Sequence, residues 1–223
     1  MELVKVTGPE EGKAALTARL TRELAAGKRV LWLIPGGSNI PISVAIMASL
    51  PDELTKQLTL ALTDERYGPY NHADSNWWQL DEAGFSNKQA TRVEVLSPAN
   101  DDIATTTARY GRELIQLVAS HDCVIGQFGM GADGHIAGIL PGSIATTVVA
   151  PTAGYETPTF TRITATFSII EQCSVAFAFV FGADKAQALN NLESTIPLAD
   201  QPAQILKQLP EAYVYNDQIG VTP

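Results

Sequence analysis

Short apolar runs alternate with stretches of helical periodicity along this chain. The apolar runs are typical of strands buried on both faces of a sheet, and they occupy Arg29–Ile34, Leu58–Leu62, Val93–Leu96, Cys123–Phe128 and Val175–Phe181. Helices are predicted over Pro9–Ala26, Ile40–Leu50, Ser75–Glu82, Ile103–Ser120 and Asp184–Leu192. Because helices connect parallel strands, the alternation predicts an α/β fold of three α/β/α layers with a mostly parallel, Rossmann-like sheet. Ser143–Thr161 is predicted to be a loop or hairpin.

Composition narrows the class of protein. The chain has 223 residues, of which 45% are hydrophobic and 17% charged, so it can bury a sizeable core. No repeat or linker-like stretch interrupts it, and a single domain over residues 1–223 is predicted. The chain has 15 Lys and Arg against 24 Asp and Glu, a net charge of −9. That balance disfavours nucleic-acid binding, so an anionic ligand needs a local pocket.

Location and redox state follow from two further observations. Met1–Lys5 lacks the layout of a signal peptide, and no apolar run approaches the roughly 18 residues that span a bilayer, so we expect a cytoplasmic protein without membrane contacts. The two cysteines, Cys123 and Cys173, are too few for a disulfide framework and lack metal-ligand spacing. Buried free thiols in a reducing compartment are predicted.

Candidate chemistry follows the predicted strands, because ligands of open α/β sheets bind beyond the carboxyl ends of the strands. Pro35–Asn39 leads from a strand into a helix; its glycines allow close approach to a ligand, Ser38 or Asn39 can cap the helix, and free N–H groups favour an anion. The charged segment Thr63–Pro69 and then His72–Asn76 follow the next strand. A plain turn and a salt-bridged surface loop remain the respective alternatives.

The most distinctive segment is Gly129–Gly142, which follows the predicted strand Cys123–Phe128. It contains a G-x-G-x-x-G pattern, but Pro141 leaves too little room for the helix of a dinucleotide site. Its glycines instead expose Asp133 and His135. Imidazole is the natural general base near neutral pH, and a carboxylate can fix its tautomer. The segment therefore predicts a catalytic pair, with a structural histidine as the alternative.

Two basic residues stand at other element ends. Arg162 begins an apolar stretch, and Lys185 lies in the first turn of a predicted helix. A lysine there is unfavourable against the helix dipole, and a bound anion would offset that cost. Solvated basic side chains are the alternative. We interpret His121 and the pair Trp77-Trp78 as structural.

Five motifs in order resemble the 6-phosphogluconolactonase family, which shares a superfamily with glucosamine-6-phosphate deaminase. They are Gly-Gly-Ser at 36–38, Asp-Glu-Arg at 64–66 with Asp-Ser-Asn at 74–76, Gly-Met-Gly-x-Asp-Gly-His at 129–135 with Leu-Pro-Gly at 140–142, Arg-Ile-Thr at 162–164, and Gly-x-x-Lys-Ala-x-Ala-Leu at 182–189. The resemblance extends from about Leu31 to Leu192. Arg66 stands where the deaminases have Tyr, and Leu140 stands where they have an acidic residue; both favour the lactonase branch. Ile136, where many lactonases have Thr, echoes the deaminases.

The resemblance implies hydrolysis of 6-phospho-D-glucono-1,5-lactone to 6-phosphogluconate in the oxidative pentose phosphate pathway, without a metal or cofactor. It implies three catalytic residues: His135 as the base, Asp133 as its partner, and Arg66 to stabilise the oxyanion or a neighbouring carboxylate. Substrate and phosphate binding is implied for Gly36, Gly37, Ser38, Asp64, Asn76, Gly131, Arg162 and Lys185. We expect a phosphorylated sugar lactone as the partner, and a monomer or small homo-oligomer. A deaminase or isomerase, and a non-catalytic sugar-phosphate-binding protein, are the alternatives.

Overall fold

The computed structural model describes residues 1–220. Its strands are β1 (Glu2–Lys5), β2 (Val30–Ile34), β3 (Leu58–Leu62), β4 (Asp64–Arg66), β5 (Thr91–Arg92), β6 (Cys123–Phe128), β7 (Thr152–Glu156), β8 (Thr161–Ala165), β9 (Val175–Val180) and β10 (Ala212–Asn216). Its α-helices are α1 (Glu10–Ala25), α2 (Ile40–Ser49), α3 (Asn76–Glu82), α4 (Ile103–Ser120), α5 (Phe167–Ile170) and α6 (Ala186–Asn191). Short 3₁₀ helices cover Gly37–Asn39, Asp52–Gln57, Ile144–Thr146, Ala183–Lys185 and Pro202–Gln208.

Seven strands form one parallel sheet in the order β1-β10-β9-β6-β2-β3-β5. The strands β2, β3, β6 and β9 are buried along their whole length, as strands covered on both faces are. The predicted α/β class, with a mostly parallel sheet flanked by helices, is confirmed. The strands β1 and β10 were not predicted, because exposed and buried positions mix along β1 and because β10 reads Ala-Tyr-Val-Tyr-Asn instead of a continuous aliphatic run.

A second sheet of three antiparallel strands, β4-β8-β7, lies beside the first. The strands β7 and β8 form a hairpin that begins at Thr152. Of the segment 143–161, predicted to be a loop or hairpin, the second half therefore belongs to a hairpin, while the first half is a loop with a short 3₁₀ helix. Thr63 connects the two sheets: its N–H donates to Ile34 O (2.9 Å), and its carbonyl accepts from Ala165 N (2.9 Å). The chain thus passes from β3 into β4 with only one residue between the sheets.

The predicted helices α1 to α4 are confirmed with small shifts at their ends. Ser75 caps α3 by accepting from Trp78 N (3.3 Å). The predicted cap of α2 by Ser38 or Asn39 is wrong: Asn39 is the N-cap residue but its side chain makes no capping bond, because the chain enters α2 through a 3₁₀ turn. The last predicted helix begins late, since a 3₁₀ turn precedes the six-residue α6 and contains Lys185.

The strand predicted over Val93–Leu96 is wrong, since β5 lies immediately before it. Downstream of β5 the carbonyl groups bind side chains instead of a neighbouring strand. Trp77 Nε1 donates to Val93 O (2.9 Å), and the guanidinium of Arg109 donates to the carbonyls of the next two residues. These side chains satisfy the backbone of an apolar segment without extending the sheet.

Buried apolar side chains fill the space between the main sheet and its helices. Within residues 1–220 no helix is long and apolar enough to cross a bilayer. Cys123 and Cys173 are both buried and free, as predicted, and burial raises the pKa of the Cys173 thiol to about 12. A thiol in that state is unreactive near neutral pH.

Gly12 marks the closest contact of α1 with the sheet. A Cβ built there would lie 2.6 Å from Phe179 Cε1 and 2.8 Å from Tyr215 Cγ. In an open helix Gly→Ala stabilises by roughly 0.5–1 kcal/mol. Here we expect Gly12→Ala to lower the free energy of unfolding by about 1–3 kcal/mol, because the methyl group displaces two stacked rings. Urea unfolding measures the change. Gly8→Ala, where no atom lies within 4 Å, is the control, and a more stable Gly12→Ala would contradict the prediction.

Candidate active site

A cleft of about 190 Å³ opens at the carboxyl ends of β2 and β6. These two strands are neighbours at the point where the order of the main sheet reverses, which is where open α/β sheets bind ligands. All the predicted site residues except Asp133 line the cleft. Six further lining residues were not predicted: Pro35, Asn39, Gly129, Met130, Ala137 and Gly138.

The loop after β2 packs against α3 through Gly36. A Cβ at Gly36 would lie 2.0 Å from Asn76 Oδ1, so only glycine allows this contact. Asn76 Nδ2 donates to Asp64 O (2.8 Å), while Asn76 Oδ1 is buried without a hydrogen-bond partner among the described residues. A buried acceptor of this kind is costly unless a ligand or water satisfies it.

His135 and Asp133 form a hydrogen-bonded pair. His135 Nδ1 lies 2.7 Å from Asp133 Oδ1, and the backbone N–H of His135 donates to the same oxygen (3.1 Å). Burial acts to raise the pKa of Asp133, but these hydrogen bonds and the adjacent imidazole outweigh it and the pKa is lowered. An ionised carboxylate only accepts, so Nδ1 donates to it, and in the neutral imidazole the lone pair is on Nε2. Gly131 leaves room for the pair, because a Cβ there would lie 2.1 Å from Nδ1.

The second sheet holds the loop that follows His135. Ala137 has a left-handed backbone (φ +52°), a conformation that costs an L-residue energy unless its surroundings fix it. The hydroxyl of buried Thr164 donates to Ala137 O, and the hydroxyl of Tyr155 donates to Gly138 O. Both hydroxyls belong to the β7–β8 hairpin, which therefore sets the position of the His135 loop.

Three basic side chains line the cleft with one carboxylate. Arg162 Nη1 lies 3.0 Å from Asp64 Oδ2, and both side chains are largely buried. Arg66 Nη1 donates to Asp74 O (3.1 Å). Lys185 Nζ lies 3.0 Å from Asp184 Oδ2. The carboxylate of Asp184 therefore offsets part of the positive charge of Lys185 near the start of α6. The lining therefore carries a net positive charge in a chain of net charge −9.

Glu65 anchors this edge of the site, although sequence reasoning gave it no role. Its carboxylate is fully buried and accepts from the backbone N–H groups of Arg66 (2.7 Å), Asn76 (2.6 Å) and Trp77 (3.3 Å) and from the Ser75 hydroxyl (2.9 Å). Burial raises its pKa to about 7, against the opposing effect of these hydrogen bonds. Its neighbours Asp64 and Arg66 are also charged, so the local sequence did not distinguish Glu65 as the buried member of this segment.

Within residues 1–220 no group of three or more His, Cys, Asp or Glu side chains is arranged to hold a metal ion. The cleft instead combines backbone N–H groups, guanidinium and ammonium groups, and an imidazole with a free lone pair. Such an arrangement suits an anionic substrate and proton transfer.

Titration of Glu65 makes the free energy of unfolding depend on pH. The pKa of Glu65 is raised from 4.5 in the unfolded chain to about 7 in the folded protein. The folded state therefore gains stability from the protonated carboxyl at pH values below 4.5, and this stabilisation is lost as the pH rises through about 7. Glu65→Gln cannot titrate. We expect the stability of this variant relative to wild type to increase by about 1–3 kcal/mol between about pH 5 and about pH 8.

Urea unfolding at several pH values measures this difference. Glu82→Gln, at the exposed end of α3, is the control and should show no such trend. A difference between Glu65→Gln and wild type that stays constant across the pH range would contradict the prediction.

Comparisons with known proteins show which family the chain resembles. A family model described as glucosamine-6-phosphate isomerases/6-phosphogluconolactonase matches residues 9–214. A probable chloroplastic 6-phosphogluconolactonase 4 of Oryza sativa subsp. indica is 29% identical over 196 residues, covering 79% of this chain and 60% of that protein. The chain thus spans about three fifths of the length of this rice relative. A 6-phosphogluconolactonase of Thermotoga maritima is 25% identical over 179 residues, covering 79% of this chain and 80% of that protein.

Solved structures share the fold at lower identity. The crystal structure of a 6-phosphogluconolactonase from Thermotoga maritima has a TM-score of 0.77 at 19% identity, covering 96% of this chain and 97% of that one. A monomeric glucosamine-6-phosphate deaminase also has a TM-score of 0.77, at 18% identity and 97% coverage of both chains. The fold is therefore common to two chemistries, and only the site can separate them. Since the family model covers most of its length, the chain belongs to the glucosamine-6-phosphate isomerase/6-phosphogluconolactonase family.

Proposed function

We propose that the protein hydrolyses 6-phospho-D-glucono-1,5-lactone to 6-phosphogluconate, a step of the oxidative pentose phosphate pathway. One observation carries the proposal: His135, hydrogen-bonded to Asp133, lines a cleft that is also lined by three basic side chains. The names of the rice and Thermotoga maritima relatives support the same substrate. Because the lactone is an activated ester, the proposed reaction requires neither a metal nor a cofactor.

The proposed substrate orientation follows from the charges of the cleft. The loop of Gly36, Gly37 and Ser38 offers backbone N–H groups to the 6-phosphate, and Arg162 and Lys185 add positive charge. Asp64 and Asn76 lie in the same lining, where they can accept hydrogen bonds from sugar hydroxyls. Holding the phosphate in this way presents the lactone carbonyl to His135.

In the proposed chemistry, His135 Nε2 takes a proton from water while the water oxygen attacks the lactone carbonyl carbon. The carbonyl electron pair moves to the oxygen, and Arg66 stabilises the resulting oxyanion. Collapse of this intermediate breaks the bond between the carbonyl carbon and the ring oxygen, which takes the proton from the imidazolium. Asp133 remains ionised and stabilises the imidazolium.

The side chain before Pro141 supports hydrolysis over deamination. Leu140 supplies no carboxylate there, and Asp64, the carboxylate of the cleft lining, forms an ion pair with Arg162. The ring opening of an amino sugar needs an additional acid–base group. Release of ammonia from glucosamine 6-phosphate would favour the deaminase.

We also propose a cytoplasmic location; the rice relative is named as chloroplastic.

Replacing the base should abolish most of the turnover. We expect His135→Ala to reduce kcat by roughly 10²–10⁴-fold, with a modest change in KM, because water is no longer activated. The measurement is hydrolysis of 6-phosphogluconolactone, corrected for spontaneous opening. His121→Gln, at the C-terminal end of α4 and outside the cleft, is the control. Near-wild-type turnover in His135→Ala would remove this residue from the mechanism.

Phosphate recognition is tested separately. We expect Lys185→Met to raise KM for 6-phosphogluconolactone by about 10-fold or more, because a charge-assisted hydrogen bond is lost. Hydrolysis of the unphosphorylated lactone should change little, so the ratio of the two kcat/KM values is the measurement. Lys56→Met, which replaces an exposed lysine outside the cleft, is the control. An equal effect on both lactones would contradict a phosphate contact.

A further inference from the structure

The two arginines of the cleft stand directly opposite each other on adjacent antiparallel strands. Arg66 on β4 pairs in register with Arg162 on β8, and like charges at such positions destabilise a sheet. Arg162 is paired with Asp64. Arg66 has no ion pair with any residue of the described range 1–220, and the Nε atoms of both arginines are buried without an acceptor there. The hydrogen bond from Arg66 Nη1 to Asp74 O does not by itself fix the conformation of a long, charged side chain.

Phe160 provides a surface against which both guanidinium groups lie. Its ring centroid is 4.4 Å from Arg66 Cζ and 5.6 Å from Arg162 Cζ. The negative face of an aromatic ring attracts a cation, and a planar guanidinium also stacks on it. A neutral ring can therefore hold two like charges side by side. Unlike a carboxylate, it leaves their charge available to a substrate anion.

The turn between β7 and β8 fixes the backbone of Phe160. Thr157 N donates to Phe160 O (2.8 Å), and Phe160 N donates to Thr157 Oγ1 (3.0 Å). The next residue is tied to the end of β4, because Tyr67 N donates to Thr161 O (2.8 Å). The ring is thus anchored to the strand that carries Arg66, although Phe160 itself is not part of the cleft lining.

We propose that Phe160 is a positioning residue that holds Arg66, and to a lesser degree Arg162, in place for the anionic groups of the substrate. The proposal rests on the proposed lactone hydrolysis. In that reaction Arg66 faces an oxyanion that is absent from the bound substrate and forms in the transition state and the tetrahedral intermediate. Loss of the ring should therefore reduce kcat more than it raises KM. The Phe160 ring is closer to the guanidinium of Arg66 than to that of Arg162, which supports a larger effect on kcat than on KM.

The test compares Phe160→Leu with Phe160→Tyr in lactone hydrolysis. We expect Phe160→Leu to lower kcat by about 5- to 30-fold, the equivalent of a lost cation–π contact, and to change KM by less than about 3-fold. Phe160→Tyr keeps the aromatic face and should retain most of the wild-type kcat. Thr159→Ala, an exposed position in the same turn, is the control. Phe160→Met serves as a second non-aromatic variant should Phe160→Leu fold poorly.

A second readout does not depend on turnover. In wild type we expect the ring current of Phe160 to shift the δ-methylene proton resonances of Arg66 and Arg162 upfield. The leucine and methionine variants should lose this shift, while the tyrosine variant should keep it. A folded Phe160→Leu with wild-type kcat, or with wild-type arginine resonances, overturns the proposal. If wild type hydrolyses no lactone, the proposed function fails, and the arginine resonances alone then decide whether Phe160 holds the two side chains.

Discussion

The passage of the chain through Thr63 is the constraint on which the site depends. This residue joins the main parallel sheet to the small antiparallel sheet by one hydrogen bond in each direction. The strand β4, which follows at once, carries Asp64, Glu65 and Arg66. Its pairing with β8 then brings Arg162 to the same edge. A slip of one residue in that pairing would turn each of these side chains to the opposite face.

The small sheet also explains how flexible residue types form a defined site. Glycines give the loops after β2 and β6 room for close contacts at Asn76 and His135, but they do not themselves supply order. Order comes from neighbours: Glu65 binds the start of α3, and Tyr155 and Thr164 bind the carbonyls of the His135 loop. His135 and Asp133 thus lie on a loop that the strands of the small sheet support.

Local sequence patterns predict the parts of the molecule that depend on residues close together along the chain. Continuous apolar runs identified the buried strands, and the glycines around His135 indicated a close approach that the contacts at Gly131 explain. Predictions failed where distant side chains decide the outcome. Arg109 and Trp77 take the carbonyls that would have made Val93–Leu96 a strand. The ion pair of Asp64 with Arg162 and the packing of Phe160 likewise depend on the pairing of β4 with β8. The single-domain organisation and the roles of the site residues stay predictions.

The opposed arginines link occupancy of the cleft to the stability of the fold. The two cations face each other across β4 and β8, and the ion pair of Arg162 with Asp64 offsets only part of their repulsion. The negative charge of a bound substrate would reduce that repulsion in addition to making its own contacts. Because this relief contributes to the binding free energy, ligand binding stabilises the fold by mass action, and dissolved salt weakens the same repulsion by screening the pair.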